Sequence, residues 1–166
     1  MAKKEIYLIL HNLRSVYNVG SIFRTADAAG ISKIFLTGYT PAPTDRFGRI
    51  RSDVAKTALG AEKNISWKKT VSINSLLEKL KKDGFLIVSV EQAKNSLDYK
   101  KVSARGGPAF GWKGGIVFIF GSETKGLPDS VLEKSDIVAE IPMKGRKESL
   151  NVSVSAGIAL FRILNI

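Results

Sequence analysis

Residues 116–128 read IVFIFGSETKGLP, and this stretch decides the fold class. The apolar run Ile116–Phe120 is typical of a strand that is buried on both faces, as in a parallel sheet. The next six residues, Gly121–Gly126, form a polar loop with a glycine at each end. Pro128 then suits the first position of a helix. A strand, a loop and a helix in this order predict one unit of an α/β domain, in which ligands bind where the strand ends.

The same alternation continues in both directions along the chain. Other apolar runs predict buried strands at Ile6–Leu10, Ile34–Leu36, Phe85–Val90 and Ile137–Ile141. Amphipathic patterns predict helices at Asn18–Ala29, Ser52–Ala61, Ile73–Lys82, Pro128–Lys134 and Leu150–Leu164. Asn18 and Asn74 are the residue type that caps helix N-termini, so we expect them to begin the first and third helices. We therefore predict a single α/β domain over residues 1–166, a mostly parallel sheet with helices on both faces.

The composition excludes several kinds of site. The chain has no cysteine and a single histidine, His11, which excludes disulfides, thiolate zinc sites and any site with two histidine ligands. We expect no metal, and a structural role for His11. No apolar run approaches the 18 or so residues of a membrane helix, and the run after the basic start is too short for a signal peptide. We expect a cytoplasmic protein without a membrane segment.

The charge balance points to a polyanionic partner. Lys and Arg exceed Asp and Glu by 26 − 15 = 11, and the sequence pI is about 9.9. A pI above about 9 is typical of nucleic-acid-binding domains, although surface charge for solubility is an alternative. Neither G-x-G-x-x-G nor G-x-x-x-x-G-K-[ST] occurs, which disfavours a Rossmann-type dinucleotide or methyl-donor site and a P-loop.

Four polar residues stand at positions where a site is expected. Arg24 lies on the first predicted helix with small residues one turn away on either side, and a solvated arginine is the alternative. Glu123 follows a buried strand, and an ordinary turn is the alternative. Ser149 and Asn151 stand at the start of the last helix, where simple N-capping is the alternative.

Three segments occur in order along the chain: Asn18–Ala26 (NVGSIFRTA), Phe120–Pro128 (FGSETKGLP), and Ile141–Met143 (IPM) followed by Ser149–Val154 (SLNVSV). Together they resemble the three motifs of the SpoU/TrmH family, the RNA 2′-O-ribose methyltransferases of the SPOUT class. The resemblance spans about the whole chain, from Ile6 to Leu164. All three motifs in this order are a specific signal.

The resemblance implies a fold and a site that composition and spacing do not show. It implies a deep C-terminal trefoil knot over roughly residues 118–151, S-adenosylmethionine bound by the knot loops, and a homodimer whose active site is shared between chains. The family's polar site residues fall on Asn18, Arg24, Glu123, Ser149 and Asn151. The family's cofactor contacts fall around Val88, Gly121, Ile141, Ser149 and Leu150.

The resemblance also assigns roles, some of which stay open. The counterpart of Arg24 is proposed in the family as the base that takes the ribose proton. Because arginine resists deprotonation, a clamp on the adjacent phosphate is a second reading. Two net-positive stretches, 46–69 and 94–113, are expected to contact RNA phosphates. Their candidate residues are Arg46, Arg49, Arg51, Lys100, Lys101 and Arg105. The side chains that could stack on bases, or else pack in the core, are Tyr39, Phe47 and Trp112.

The function predicted on these grounds is S-adenosylmethionine-dependent methyl transfer to a ribose 2′-hydroxyl of tRNA or rRNA. A domain without RNA-recognition extensions favours tRNA. A catalytically silent RNA-binding domain of the same fold is the alternative, but it has no need for the five polar site residues together. A small-molecule methyltransferase or nucleotide binder is a third reading, and it leaves the charge of +11 unexplained.

Overall fold

The computed structural model describes residues 5–103 and 114–166. The strands are β1 (Glu5–His11), β2 (Lys33–Thr37), β3 (Ser66–Thr70), β4 (Phe85–Val90), β5 (Leu97–Asp98), β6 (Gly115–Phe120) and β7 (Ile137–Glu140). The helices are α1 (Val16–Ala28), α2 (Ser52–Ala58), α3 (Ala61–Asn64), α4 (Ile73–Lys82), α5 (Asp129–Leu132) and α6 (Val152–Leu164). A short 3₁₀ helix spans Tyr99–Lys101.

The described strands form one parallel sheet in the order β3-β2-β1-β6-β4-β7-β5. The sheet confirms the predicted α/β class with parallel strands. Since all of these strands run the same way, their carboxyl ends meet at one edge. The loops after β1, β4, β6 and β7 therefore lie near one another, which is where sheets of this kind bind ligands.

The core has two layers because successive side chains of a strand point to opposite faces of the sheet. Leu8 and Phe118 pack with α1, α2 and α6 on one face. Ile9 and Val117, their neighbours along the strands, pack with α4 and α5 on the other. These four side chains have no exposed surface. The prediction of helices on both faces is thus confirmed.

Both predicted N-caps are wrong by two or three residues. Ser15, not Asn18, caps α1, and its side chain accepts a hydrogen bond from the backbone N–H of Asn18 at 3.2 Å. Ser72, not Asn74, caps α4 in the same way. Asn18 therefore lies inside the first turn of α1 instead of at its cap. Its side-chain amide is free to bond with other residues.

Other helix boundaries also differ from the predictions. The predicted helix Ser52–Ala61 is divided, because Leu59 and Gly60 adopt the left-handed φ values of 50° and 97°. Pro128 stands one residue before α5 rather than in its first position. The last helix begins at Val152, two residues later than predicted.

Two strands were missing from the prediction. Strand β3, with the sequence SWKKT, lies at one edge of the sheet, and β5 at the other edge has only two residues. Lysines and short lengths are typical of edge strands, where they discourage pairing with other chains. Such strands lack the apolar run by which the central strands were recognised.

Candidate active site

A cavity of about 330 Å³ opens at the carboxyl edge of the sheet. The loops after β4, β6 and β7 and the start of α6 form its walls, and its volume lies within the usual range of small-ligand pockets. Four of the residues predicted to contact a cofactor line it: Gly121, Ile141, Ser149 and Leu150. The fifth, Val88, does not line it, because its side chain is fully buried within β4.

Gly121 lets two backbone segments pack directly against each other beside this cavity. A Cβ atom at Gly121 would stand 2.6 Å from the carbonyl carbon of Gly126 and 2.7 Å from the nitrogen of Leu127. The loop between them is a tight turn, in which the N–H of Gly126 donates to the carbonyl of Ser122 at 2.9 Å. Any side chain at position 121 would therefore force the turn away from the strand.

A second carboxylate, missed in the sequence analysis, fastens this turn to the neighbouring strand. Glu91 follows directly after β4, and its Oε2 accepts the N–H of Leu127 at 2.9 Å. Gln92, the next residue, donates from Nε2 to the carbonyl of Glu148 at 2.7 Å. Both residues line the cavity. Both residues could have been found from the sequence, because they follow a predicted buried strand, as Glu123 does.

A chain of side-chain hydrogen bonds joins three of the predicted polar site residues at the rim of the cavity. Asn18 Nδ2 donates to Glu123 Oε1 at 3.0 Å, and Asn151 Nδ2 donates to Asn18 Oδ1 at 3.2 Å. Asn151 also caps α6 through its Oδ1, so its N-capping role and its place in the cluster coexist. The loops after β6 and β7 are thereby linked to the first turn of α1.

Glu123 holds this cluster to the backbone. Its Oε2 accepts the N–H of Arg14 at 3.0 Å, and its Oε1 accepts the N–H of Ser15 at 3.2 Å. Burial acts to raise the pKa of Glu123, but the hydrogen bonds from Arg14, Asn18 and Ser15 outweigh it and lower the pKa below its usual value. The same carboxylate accepts from Asn18 Nδ2, which fixes the orientation of the Asn18 amide.

We expect Glu123→Gln to lower the melting temperature at neutral pH, because the amide nitrogen cannot accept from a backbone N–H. The folded-state pKa of Glu123 lies below the unfolded value of about 4.3, so its stabilisation is present above about pH 5 and is lost as the pH falls through the folded-state pKa. Thermal melts of both proteins across this range measure the difference. A difference that stays constant down to acid pH would contradict this role.

Arg24 lies apart from this cluster. It lines a separate groove of about 610 Å³ between α1, α2 and α6, together with Ala28, Lys56 and Phe161. Within the described part of the chain, its guanidinium has no hydrogen bond or ion pair. Gly20, one of the small residues one turn away from Arg24, packs against α2, since a Cβ there would stand 2.0 Å from Thr57 Oγ1. The structure thus brings Asn18, Glu123 and Asn151 together but leaves Arg24 on another surface.

A comparison with protein families identifies the family of this chain. The model of the SpoU rRNA methylase family matches residues 5–161. The chain belongs to this family.

Individual relatives of this SpoU-family chain agree with that assignment. A candidate TrmH family tRNA/rRNA methyltransferase of Staphylococcus saprophyticus is 36% identical over 161 residues, which are 97% of this chain and 59% of the relative. An rRNA methyltransferase from Sinorhizobium meliloti, solved with AdoMet bound, superposes with a TM-score of 0.80 at 30% identity, over 96% of this chain and 55% of that one. The A. aeolicus TrmH/SpoU tRNA modifying enzyme has a TM-score of 0.79 at 25% identity, over 97% and 74%. The chain therefore spans little more than half of the first two relatives.

The predicted RNA-binding residues of this SpoU-family chain differ in whether their side chains form ion pairs with carboxylates. Arg46 is exposed, whereas Arg49 pairs with Asp45 at 2.9 Å and Arg51 with Asp53 at 2.8 Å. Lys100 and Lys101 are exposed on the 3₁₀ helix. Arg105 and Trp112 lie outside the described residues.

His11 occupies a structural position at the end of β1. Its Nδ1 lies 2.9 Å from Thr37 Oγ1, and its Nε2 lies 3.1 Å from Asn12 Nδ2. Burial lowers the pKa of His11, so the ring is neutral near pH 7.

Over residues 5–103 and 114–166 there is no cluster of three or more His, Asp or Glu side chains placed to hold a metal ion. The same residues contain no helix with the length and apolarity to span a bilayer.

Proposed function

We propose that this SpoU-family chain transfers a methyl group from S-adenosylmethionine to a ribose 2′-hydroxyl of tRNA or rRNA. The observation that carries the proposal is the cavity at the carboxyl edge of the sheet, whose rim holds the hydrogen-bonded cluster of Asn18, Glu123 and Asn151. A cofactor in the cavity would lie beside oriented polar groups. Since the proposed substrate is RNA, we also propose a cytoplasmic location.

The cavity suits S-adenosylmethionine in size and in chemistry. Its wall combines apolar side chains such as Ile141 and Leu150 with polar groups such as Ser149 and Glu91, and a nucleoside joined to an amino acid needs both. Gly121 brings backbone to the surface of the cavity, where it can hydrogen-bond to a ligand. When bound, S-adenosylmethionine supplies a methyl group on a positively charged sulfur.

The residues of this chain would act mainly by positioning. A ribose hydroxyl is a poor nucleophile, and alignment of reacting groups can contribute about 7–11 kcal/mol to a reaction. Glu123 and Asn151 fix both ends of the Asn18 amide, so this side chain is held in one orientation. Arg24 would clamp the phosphate next to the target ribose through the paired N–H groups of its guanidinium. A role for Arg24 as the base that takes the ribose proton is the competing assignment.

We propose a homodimer in which Arg24 serves the cavity of the partner subunit. Tyr17, Ser21, Arg24 and Ala28 recur at helical spacing along one face of α1, and the side chain of Tyr17 is 54% exposed. On α6, Val154 and Phe161 are 48% and 39% exposed at the matching spacing of seven residues. Two adjacent helices that expose Tyr17, Val154 and Phe161 fit an isologous interface, and Arg24 would lie within it.

We also propose that roughly residues 118–151 form a trefoil knot. The sheet order supports this, because β6 and β7 lie on opposite sides of β4, so the chain crosses the end of β4 after leaving β6. The contacts of Glu91 with Leu127 and of Gln92 with Glu148 tie both crossing segments to the loop after β4. The same contacts shape the wall of the cavity.

We predict that RNA binding depends on salt through the exposed basic residues. The logarithm of the binding constant falls with the logarithm of the salt concentration by roughly one unit of slope for each phosphate contact. The variants Arg46→Ala, Lys100→Ala and Lys101→Ala should each reduce the slope by about 1. Lys82 ends α4 just before β4 begins, and so lies near the amino ends of the strands, away from the cavity. Lys82→Ala is the matched control and should leave the salt slope unchanged. A slope near zero in the unaltered protein would contradict phosphate contacts.

Transfer of label from methyl-labelled S-adenosylmethionine tests the proposed function. Unmodified tRNA and rRNA are incubated separately with the protein, with Lys82→Ala as a control for charge. Label in one of the two RNA pools supports the proposal and names the substrate class. Absence of cofactor binding in calorimetry would favour the catalytically silent RNA-binding domain instead.

A further inference from the structure

A second cavity of about 500 Å³ adjoins the site, and its chemistry differs from that of the first. Arg14, Tyr39, Thr124 and Lys125 line it, and the last two of these also line the first cavity. The two cavities therefore share the wall that follows Glu123. Two cations and an exposed aromatic ring are the groups that hold an unpaired nucleotide, since the ring can stack on the base and the cations can bind phosphates.

Tyr39 is 56% exposed, yet its backbone is firmly held. Its N–H donates to Asn12 Oδ1 at 3.2 Å. On either side of it, Lys69 Nζ donates to the carbonyl of Gly38 at 2.7 Å and to the carbonyl of Thr40. The ring is thus exposed on a well-held stretch of backbone and is not part of the core, so it is available for stacking.

The same loops connect this platform to the proposed active site. Thr40 Oγ1 accepts the N–H of Leu13 at 3.1 Å, which joins the loop after β2 to the loop after β1. The next residue, Arg14, donates its N–H to Glu123 Oε2. A nucleotide on Tyr39 would therefore be held at a fixed position relative to Glu123 and Asn18.

We propose that this second cavity is the subsite for the target nucleotide, an unpaired residue of the RNA. Tyr39 stacks on its base, and Arg14 and Lys125 bind the phosphates on either side. The ribose then lies over the shared wall of Thr124 and Lys125, facing the first cavity. The identity of the reaction at this subsite rests on the proposed function, whereas the binding of RNA there does not. The subsite implies that single-stranded or loop RNA, rather than a continuous duplex, is the substrate class.

Photocrosslinking locates the bound nucleotide without requiring turnover. A short single-stranded RNA containing 4-thiouridine is irradiated with the full chain, and the crosslinked tryptic peptide is identified. We expect the crosslink in peptide 34–46, which contains Tyr39, and we expect a duplex of the same sequence to suppress it. Crosslinks confined to other peptides, or none at all, would overturn the subsite.

Substitutions at Tyr39 then test whether the platform matters for the reaction. Tyr39→Ala should lower kcat/KM for RNA by roughly five- to hundredfold, the loss expected for one base–aromatic stack, whereas Tyr39→Phe retains the ring and the activity. Because this side chain is exposed, the melting temperature and the affinity for S-adenosylmethionine should not change. Equal kcat/KM for the two variants would contradict the stack. If the crosslink forms but no RNA is methylated, the proposed function fails while the subsite stands.

Discussion

Arg24→Ala is expected to lower the rate of RNA methylation by about a hundred- to a thousandfold, the usual cost of removing one preorganised hydrogen-bond donor from an active site. The affinity for S-adenosylmethionine should be unchanged, because the proposed partner of Arg24 is an RNA phosphate and not the cofactor. Arg24→Lys should recover little of the rate, since an ammonium is a point charge and cannot bind a phosphate in the paired geometry of a guanidinium. Full turnover by Arg24→Lys would argue against both the clamp and the base.

Mixing two defective variants tests whether Arg24 acts across the dimer. Arg24→Ala subunits keep an intact cavity, and Gly121→Ala subunits keep an intact Arg24. Random exchange of subunits makes half of the dimers mixed, and each mixed dimer has one complete site, so about a quarter of the normal activity should return. A mixture that stays as inactive as its parents, although exchange is demonstrated, would place Arg24 in the site of its own chain.

Gly121→Ala is expected to abolish measurable binding of S-adenosylmethionine and to lower the free energy of unfolding by about 1–3 kcal/mol, as overpacking of a tight contact does. The added Cβ would stand 2.6 Å from the carbonyl carbon of Gly126, and backbone cannot give way as a flexible side chain can. The displaced turn would withdraw part of the cavity wall. Calorimetric titration and thermal melts measure the two effects.

Gly145→Ala is the matched control for this substitution. A Cβ added at Gly145 would meet no other atom within 4 Å, so the same chemical change should alter neither binding nor stability appreciably. If Gly121→Ala bound S-adenosylmethionine as tightly as Gly145→Ala, the cavity would not be the cofactor site. A Gly121→Ala protein that fails to fold can be replaced by Leu150→Lys, since Leu150 lines the cavity and is 39% exposed.

The central strands were predictable because their apolar runs reflect burial on both faces. Strand β3 was not, because a lysine-rich edge strand resembles a surface loop until its partner is known. The caps of α1 and α4 were misplaced because several short polar residues compete near each helix start, and local sequence does not rank them.

The positions of site residues at strand ends could be predicted, but their mutual contacts could not. Asn18 and Glu123 are 105 residues apart in the sequence, and Asn18 and Asn151 are 133 apart. The pairing of β1 with β6 brings Asn18 to Glu123, and the packing of α6 against α1 brings Asn151 to Asn18. Arg24 is separate from this cluster because it lies on another face of α1 from Asn18, in the groove between α1, α2 and α6.

The position of the transferred methyl group in the RNA is the sharpest test of methyl transfer to the ribose 2′-hydroxyl. RNA labelled by the protein from methyl-labelled S-adenosylmethionine is hydrolysed with alkali, which cleaves after every ribose that has a free 2′-hydroxyl. If the methyl group is transferred to a ribose 2′-hydroxyl, the label is recovered in an alkali-resistant dinucleotide. Label recovered in mononucleotides would place the methyl group on a base and contradict transfer to the ribose.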